Sequence, residues 1–205
     1  MPSSPDQNKL FEYIAQEIYE KGFCICENAL PEKLSTELLN EVLQSSSTQF
    51  TQAGIGRAND YGKNSEIRRD SIAWIDSDSD AGKHWLQWVD GLKIVINRHL
   101  MLGLFSFESH FAVYQPGDFY KKHFDAFRGK TNRKLSVVTY LNKNWQSELG
   151  GELILYAKDG EQVLSRVCPA FGTLAIFLSE EFPHEVLSAS RQRYSIAGWF
   201  HVRDY

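Results

Sequence analysis

Tyr114-Gln-Pro-Gly-Asp-Phe-Tyr-Lys-Lys-His123-Phe-Asp125 lies where the hydrophobic period of this chain has changed from helical to alternating. In a β-strand alternate residues share a face, so His123 and Asp125 can offer an imidazole nitrogen and a carboxylate oxygen to one point. A third ligand has to come from far along the chain, and His184, in Phe182-Pro-His-Glu-Val186, is the candidate. Two histidines and a carboxylate on one face of an ion leave other coordination positions open, which suits non-haem Fe(II). No His-Glu-x-x-His occurs, so a zinc-protease motif is absent. On the residues alone, strand histidines with ordinary hydrogen bonds account for the pattern equally well.

Upstream of that stretch, Leu10, Phe11, Ile14, Ile18 and Tyr19 fall at helical spacing and Gly22 stands at a capping position. A polar arm at 1–7 precedes this helix, and a short strand at 23–27 follows it. Pro31 opens a second helix with Leu34, Leu38, Val42 and Leu43 on one face. The segment 48–66 is rich in Gly, Asn, Gln and Ser without periodicity and reads as a long loop, the kind that serves as a lid or binding segment. A strand at 67–75 and a polar turn lead to a third helix, whose stripe of Trp85, Trp88, Val89, Leu92, Val95 and Ile96 is core.

Downstream, short strands follow at 106–114, 122–126, 135–141, 152–156, 162–167, 173–178, 184–187 and 194–202. Gly150-Gly151 marks a turn or bulge, and Lys158-Asp159-Gly160 a tight hairpin turn. Three helices before about eight strands predict a mainly β fold, a sandwich or jelly roll, with the helices packed on one sheet. One domain spanning 1–205 is expected.

A net charge of -4 gives no electrostatic footprint for nucleic acid. No apolar run reaches bilayer-spanning length and the first ten residues lack a signal-peptide core, so no membrane association is expected. Three cysteines without a Cys-x-x-Cys pair suggest neither a disulfide framework nor a zinc ribbon, and a reducing cytoplasm is the expected setting.

Should the Fe(II) site use 2-oxoglutarate, the distal carboxylate of that co-substrate needs a partner inside the barrel. The planar fork of an arginine binds a carboxylate bidentately, and Arg193 shares a strand face with Ser195. Arg191 shares that face but lies nearer the loop. Tyr140 and Tyr114 could add neutral donors, or be core tyrosines with satisfied hydroxyls. Of the remaining histidines, His84 and His99 fall on the third helix, His110 on a strand facing the core, and His201 near the C-terminus in a structural position.

Taken together, Tyr114-Gln-Pro-Gly, Tyr120-Lys-Lys-His123-Phe-Asp125, Tyr140-Leu-Asn-Lys-Asn-Trp145, Gly150-Gly-Glu-Leu, Pro183-His-Glu-Val and Arg193-Tyr-Ser-Ile-Ala-Gly-Trp199 resemble the 2-oxoglutarate- and Fe(II)-dependent prolyl hydroxylases. The likeness is to the oxygen-sensing, hypoxia-inducible-factor type and its bacterial relatives. Lys21-Gly-Phe-Cys-Ile-Cys26 and Ile67-Arg-Arg-Asp-Ser-Ile-Ala-Trp74-Ile-Asp76 carry it upstream.

The resemblance implies a double-stranded β-helix that uses Fe(II), O2 and 2-oxoglutarate to 4-hydroxylate a proline in a protein substrate, releasing succinate and CO2. It implies that His123, Asp125 and His184 bind iron, that Arg193 and Tyr140 hold the distal carboxylate, that Tyr114 lies beside the metal and that Trp199 walls the co-substrate pocket, while Ser195, on the Arg193 face, is expected to contact the co-substrate too. Arg133 matches a substrate-side basic position, and Arg68 with Asp70 an anchor for the loop 48–66. Ascorbate as a reductant and a monomeric state are further expectations. Two alternatives stay open: the same scaffold acting on another side chain or a small molecule, and a non-catalytic β-barrel binding module.

Overall fold

The computed structural model describes residues 5–45, 49–54, 64, 66–126 and 132–203. Helix α1 (Pro5–Lys21) starts inside the expected polar arm. Pro5 suits the first turn because it has no N–H to leave unpaired, and Asp6 faces the positive end of the helix. Phe11, Ile14 and Ile18 form its buried stripe, and Gly22 ends it with φ +80°. Strand β1 (Phe23–Cys26) and helix α2 (Glu32–Gln44) follow, the latter burying Leu34, Leu38 and Val42.

The expected strand 67–75 shortens to β3 (Ser71–Trp74), which pairs with a two-residue β2 (Thr51–Gln52) from the start of the long loop. Helix α3 (Asp80–Leu100) is capped by the Ser79 hydroxyl, which accepts the Gly82 N–H at 2.9 Å.

The remaining strands are β4 (Leu104–Tyr114), β5 (Tyr120–His123), β6 (Arg133–Tyr140), β7 (Leu153–Tyr156), β8 (Val163–Val167), β9 (Leu174–Leu178), β10 (His184–Val186) and β11 (Arg193–Val202). They form two antiparallel sheets, one in the order β1-β9-β6-β11-β4-β3-β2 and one in the order β5-β10-β7-β8. Strand β11 is central in the larger sheet, hydrogen-bonded to β4 on one side and β6 on the other.

Alternation along those strands divides the interior. Phe111 and Val113 on β4, Leu135 and Val137 on β6 and Ile196 on β11 pack beneath the three helices. Ala112 and Tyr114 on β4, Tyr140 on β6, and Leu153 and Leu155 on β7 form a second core with Phe177 and Val186. The helix layer therefore backs the larger sheet and leaves the opposite face free to build a pocket with the smaller one.

Trp85 couples α3 to that sheet. It is fully buried, stacks on Trp88 at 5.8 Å between centroids, and donates its indole N–H to Ser109 Oγ on β4 at 3.0 Å. Trp85→Ala is expected to lower the unfolding free energy by about 3–5 kcal/mol through the cavity it leaves. Urea titration measures this, and a loss below about 1 kcal/mol would mean that the helix layer collapses onto the gap far better than buried aromatic sites usually do.

Candidate active site

His123 ends β5 and His184 begins β10, and the pairing of these strands sets the two residues directly opposite each other. Asp125 is not on the strand expected at 122–126. The strand stops at His123 and Asp125 lies in a bend. Two more residues of strand would have carried the carboxylate about 6.6 Å further along the ladder. The bend instead leaves Oδ1 3.5 Å from His123 Nε2 and Oδ2 3.6 Å from His184 Nε2. The three ligand-type atoms lie within 4.8 Å of one another.

Both imidazoles are held ready for a metal. His123 Nδ1 lies 2.7 Å from the Lys121 carbonyl and His184 Nδ1 3.1 Å from that of Phe182. A carbonyl oxygen only accepts, so Nδ1 carries a hydrogen in each ring, which leaves Nε2, the nitrogen nearer Asp125, as the atom that can ligate a metal. The rings are fixed as well, His123 by stacking on Tyr120 at 3.5 Å and His184 by the edge contact with Phe177 at 4.7 Å.

Burial pushes the His184 imidazolium down to about 4, so the ring is neutral near pH 7. Burial opposes charge on Asp125 too, but His184, His123 and the Ser136 hydroxyl outweigh it and hold the carboxyl well below its usual range. Two imidazole nitrogens and one carboxylate oxygen suit a divalent cation with open positions, and these residues fit Fe(II).

The other end of the same pocket holds a positive charge. Arg193 lines the pocket and is 1% exposed. Its guanidinium donates to Ser195 Oγ at 3.3 Å, packs 4.9 Å from the Tyr114 ring centroid and 5.0 Å from that of Tyr140, and leaves Nε without a partner among the described residues. The buried Tyr140 hydroxyl beside it finds no acceptor for its own hydrogen among the described residues, and burial pushes it up to about 12, so it remains a neutral donor. Burial likewise raises Tyr114. A buried cation beside an orphaned hydroxyl requires an acceptor, and the carboxylate of 2-oxoglutarate satisfies both. Arg191, the alternative, donates to the Lys143 carbonyl at 2.9 Å and lies over Trp145.

A solved structure gives the first outside comparison: a prolyl-4-hydroxylase of Pseudomonas putida superposes with a TM-score of 0.85 at 37% identity, over 95% of this chain and 100% of its own. The chain belongs to the 2OG-Fe(II) oxygenase superfamily. The model of that superfamily matches residues 109–201 of this oxygenase. A prolyl hydroxylase from Trichoplax adhaerens, solved in complex with a hypoxia-inducible-factor oxygen degradation domain peptide fragment, matches at 30% identity and a TM-score of 0.83, covering 96% of this chain and 90% of its own. The human prolyl hydroxylase EGLN3 is 29% identical over 197 residues, 92% of this chain and 82% of the human protein. The expected jelly roll and the expected family are thereby borne out.

Other expected residues of the oxygenase are placed less simply. Arg68 grips the fully buried Asp70 through two bonds of 2.6 and 2.8 Å, and the Asp70 carbonyl accepts the Ala53 N–H at 2.9 Å, so the pair sits at the root of the long loop. Most of that loop, residues 48, 55–63 and 65, lies outside the described residues. Arg133 donates to Glu108 at 2.8 Å and lays its guanidinium 3.6 Å from the ring centroid of Trp199, a pocket-lining residue. Trp199 lines the pocket, and its indole N–H is buried without a partner among the described residues. His110 faces the inter-sheet side between Trp74 and Trp199, buried, with both ring nitrogens unpartnered among the described residues.

Two site neighbours escaped the sequence reading. Tyr120 stacks on His123, and in the sequence its only signal is its place in the Tyr-Lys-Lys-His motif. Ser136 bonds Asp125, and its one signal is a small polar residue interrupting the apolar run 135–138.

The Gly150-Gly151 turn supports Arg193 from behind. Gly151 has φ +78°, and a Cβ there would come within 2.9 Å of Ala189 Cβ and 3.3 Å of Arg193 Cδ. Gly151→Ala is expected to destabilise the protein by more than about 1 kcal/mol through the left-handed backbone, and to weaken 2-oxoglutarate binding by displacing Arg193. Denaturant titration and calorimetry with the co-substrate measure the two effects. An alanine variant with wild-type values in both would show that the backbone at this turn relaxes freely.

Proposed function

We propose that this oxygenase is a protein prolyl 4-hydroxylase acting on a proline within a polypeptide substrate. The single observation that carries the co-substrate assignment is the buried Arg193 guanidinium, which has no carboxylate partner among the described residues and shares one pocket with the His123, Asp125, His184 cluster. The prolyl substrate is supported by the relatives, which are prolyl hydroxylases from a bacterium and from animals. A monomer working in a reducing cytoplasm, with ascorbate as reductant, completes the reading.

His123, Asp125 and His184 would hold Fe(II), and Arg193, Tyr140 and Ser195 the distal carboxylate of 2-oxoglutarate. When bound, these groups supply the oxidising chemistry: one atom of O2 enters the prolyl C–H bond, the other enters succinate, and CO2 leaves. The protein contributes position and exclusion. The Arg193 fork fixes the far end of the co-substrate, so that its length spans the pocket toward the metal residues. Tyr140 adds a neutral donor without adding charge. Ala112, Val138, Leu153 and Trp199 line the pocket with apolar surface that limits water around the reacting atoms. Arg68, which lines the pocket, and Asp70 hold the root of the loop that would cover a bound polypeptide.

A proline-containing peptide incubated with Fe(II), 2-oxoglutarate and O2 is expected to gain 16 Da with one succinate formed per turnover. Turnover of free amino acids or metabolites, with prolyl peptides untouched, would overturn the substrate assignment. Asp125→Ala is expected to abolish both metal binding and turnover, and retained turnover would remove Asp125 from the ligand set. Arg193→Lys loses the bidentate fork and is expected to raise the KM for 2-oxoglutarate about 10–100-fold. Its Mn(II) affinity should stay at the wild-type value, and an unchanged KM would place the distal carboxylate elsewhere.

A further inference from the structure

We infer that Ser136 and Ser179 form a two-hydroxyl relay that holds Asp125 in its ligating orientation, which makes both serines positioning residues of the metal site. The inference rests on the reading of Asp125 as a ligand. Ser136 lies on β6 with its Oγ 2.7 Å from Asp125 Oδ2, and Ser179 follows β9 with its Oγ 2.9 Å from Ser136 Oγ. Both are buried, at 1% and 0% exposure, and neither lines the pocket.

The chemistry fixes the direction of the relay. An ionised carboxylate only accepts, so Ser136 must donate its hydroxyl hydrogen to Asp125. Its oxygen is then an acceptor, and the only assignment that satisfies the second contact has Ser179 donating to Ser136. Both O–H dipoles therefore point along one line at Oδ2, and each strengthens the other away from water. Ser179 is itself held, since its backbone N–H donates to the Lys134 carbonyl at 3.1 Å and ties the end of β9 to the start of β6.

Asp125 needs such a tether because it stands in the bend beyond β5, where no ladder pairing fixes its backbone. The two histidines are oriented by strand pairing and by backbone carbonyls, whereas the carboxylate is oriented by Ser136. Oδ2 is engaged by that hydroxyl, and Oδ1 is left without a hydroxyl donor among the described residues. Partners of this kind commonly carry about 10–100-fold in metal affinity.

The test is Mn(II) titration of the full-length, metal-stripped protein, followed by water relaxation or electron paramagnetic resonance, with thermal melts of the metal-free forms alongside. Ser136→Ala is expected to weaken Mn(II) binding about 10–100-fold, and Ser136→Thr, which keeps the hydroxyl, to restore it. Ser179→Ala should weaken binding less than Ser136→Ala, and in the Ser136→Ala background it should cause no further loss, because the relay is already broken. A purely structural serine would shift the melts and leave Mn(II) affinity alone, and that result overturns the relay. So does a Ser179→Ala loss that persists in full in the double variant. If Ser136→Ala does not fold, Ser179→Ala decides the matter, wild-type affinity there overturning the proposal. Asp125→Ala separates the two readings: binding that survives it removes the metal site and the relay together, whereas binding lost with Asp125→Ala and unchanged with Ser136→Ala removes the relay alone.

Discussion

The pairing of His123 with His184 across β5 and β10 is the contact on which the site depends. The two residues are far apart in sequence, and β6 to β9 lie between them, so the chain must order a long excursion before the two imidazoles meet. Strand β10 is only three residues long and could not hold that register alone. It is flanked by β5 on one side and β7 on the other, and β7 is itself paired to β8, so a short strand inherits its position from a four-stranded sheet. The geometry of the ligand cluster is a product of sheet register.

Two buried arginines near the pocket show how differently charge is handled inside it. Arg68 is neutralised by Asp70 through a bidentate bond, and its work is to hold the chain at the base of a loop. Arg193 faces tyrosines and a serine and no carboxylate among the described residues. An uncompensated guanidinium costs folding free energy, and a fold keeps such a cost where a ligand removes it. The orphaned Tyr140 hydroxyl beside it has the same logic. The pocket thus gathers several polar groups left unsatisfied among the described residues, and for that reason it is ready to bind.

Alternation made the architecture legible. The period-2 runs located the β4 to β11 strands to within a few residues, and the helical stripes of α1, α2 and α3 declared which face each buries. Two of the three candidate ligands and Arg193 were also legible as residue types at suitable spacing, but their grouping came from family motifs, since no local pattern says which strands will be neighbours. The misses have particular causes. Asp125 looked like a strand residue because His-x-Asp spacing fits a strand, while the actual bend is set by tertiary contacts. Ser136 and Ser179 are short polar residues in apolar surroundings, and nothing in the chain indicates that they meet. Arg133 was legible as a basic residue, but its contacts with Glu108 and the face of Trp199 were not, because both lie on other strands.

The larger sheet divides two buried clusters, one under the helices and one around the pocket, that meet at Val137 and Leu178. Changes in contact couple energetically, whereas changes well apart tend to add. A lineage carrying this fold can therefore gain or lose stability by repacking α1, α2 and α3 while the pocket keeps its shape. It can likewise vary the loops around the pocket while the helix layer underwrites the fold. Robustness and specificity are then adjusted by different mutations, and an adaptive step in one need not be undone by the other.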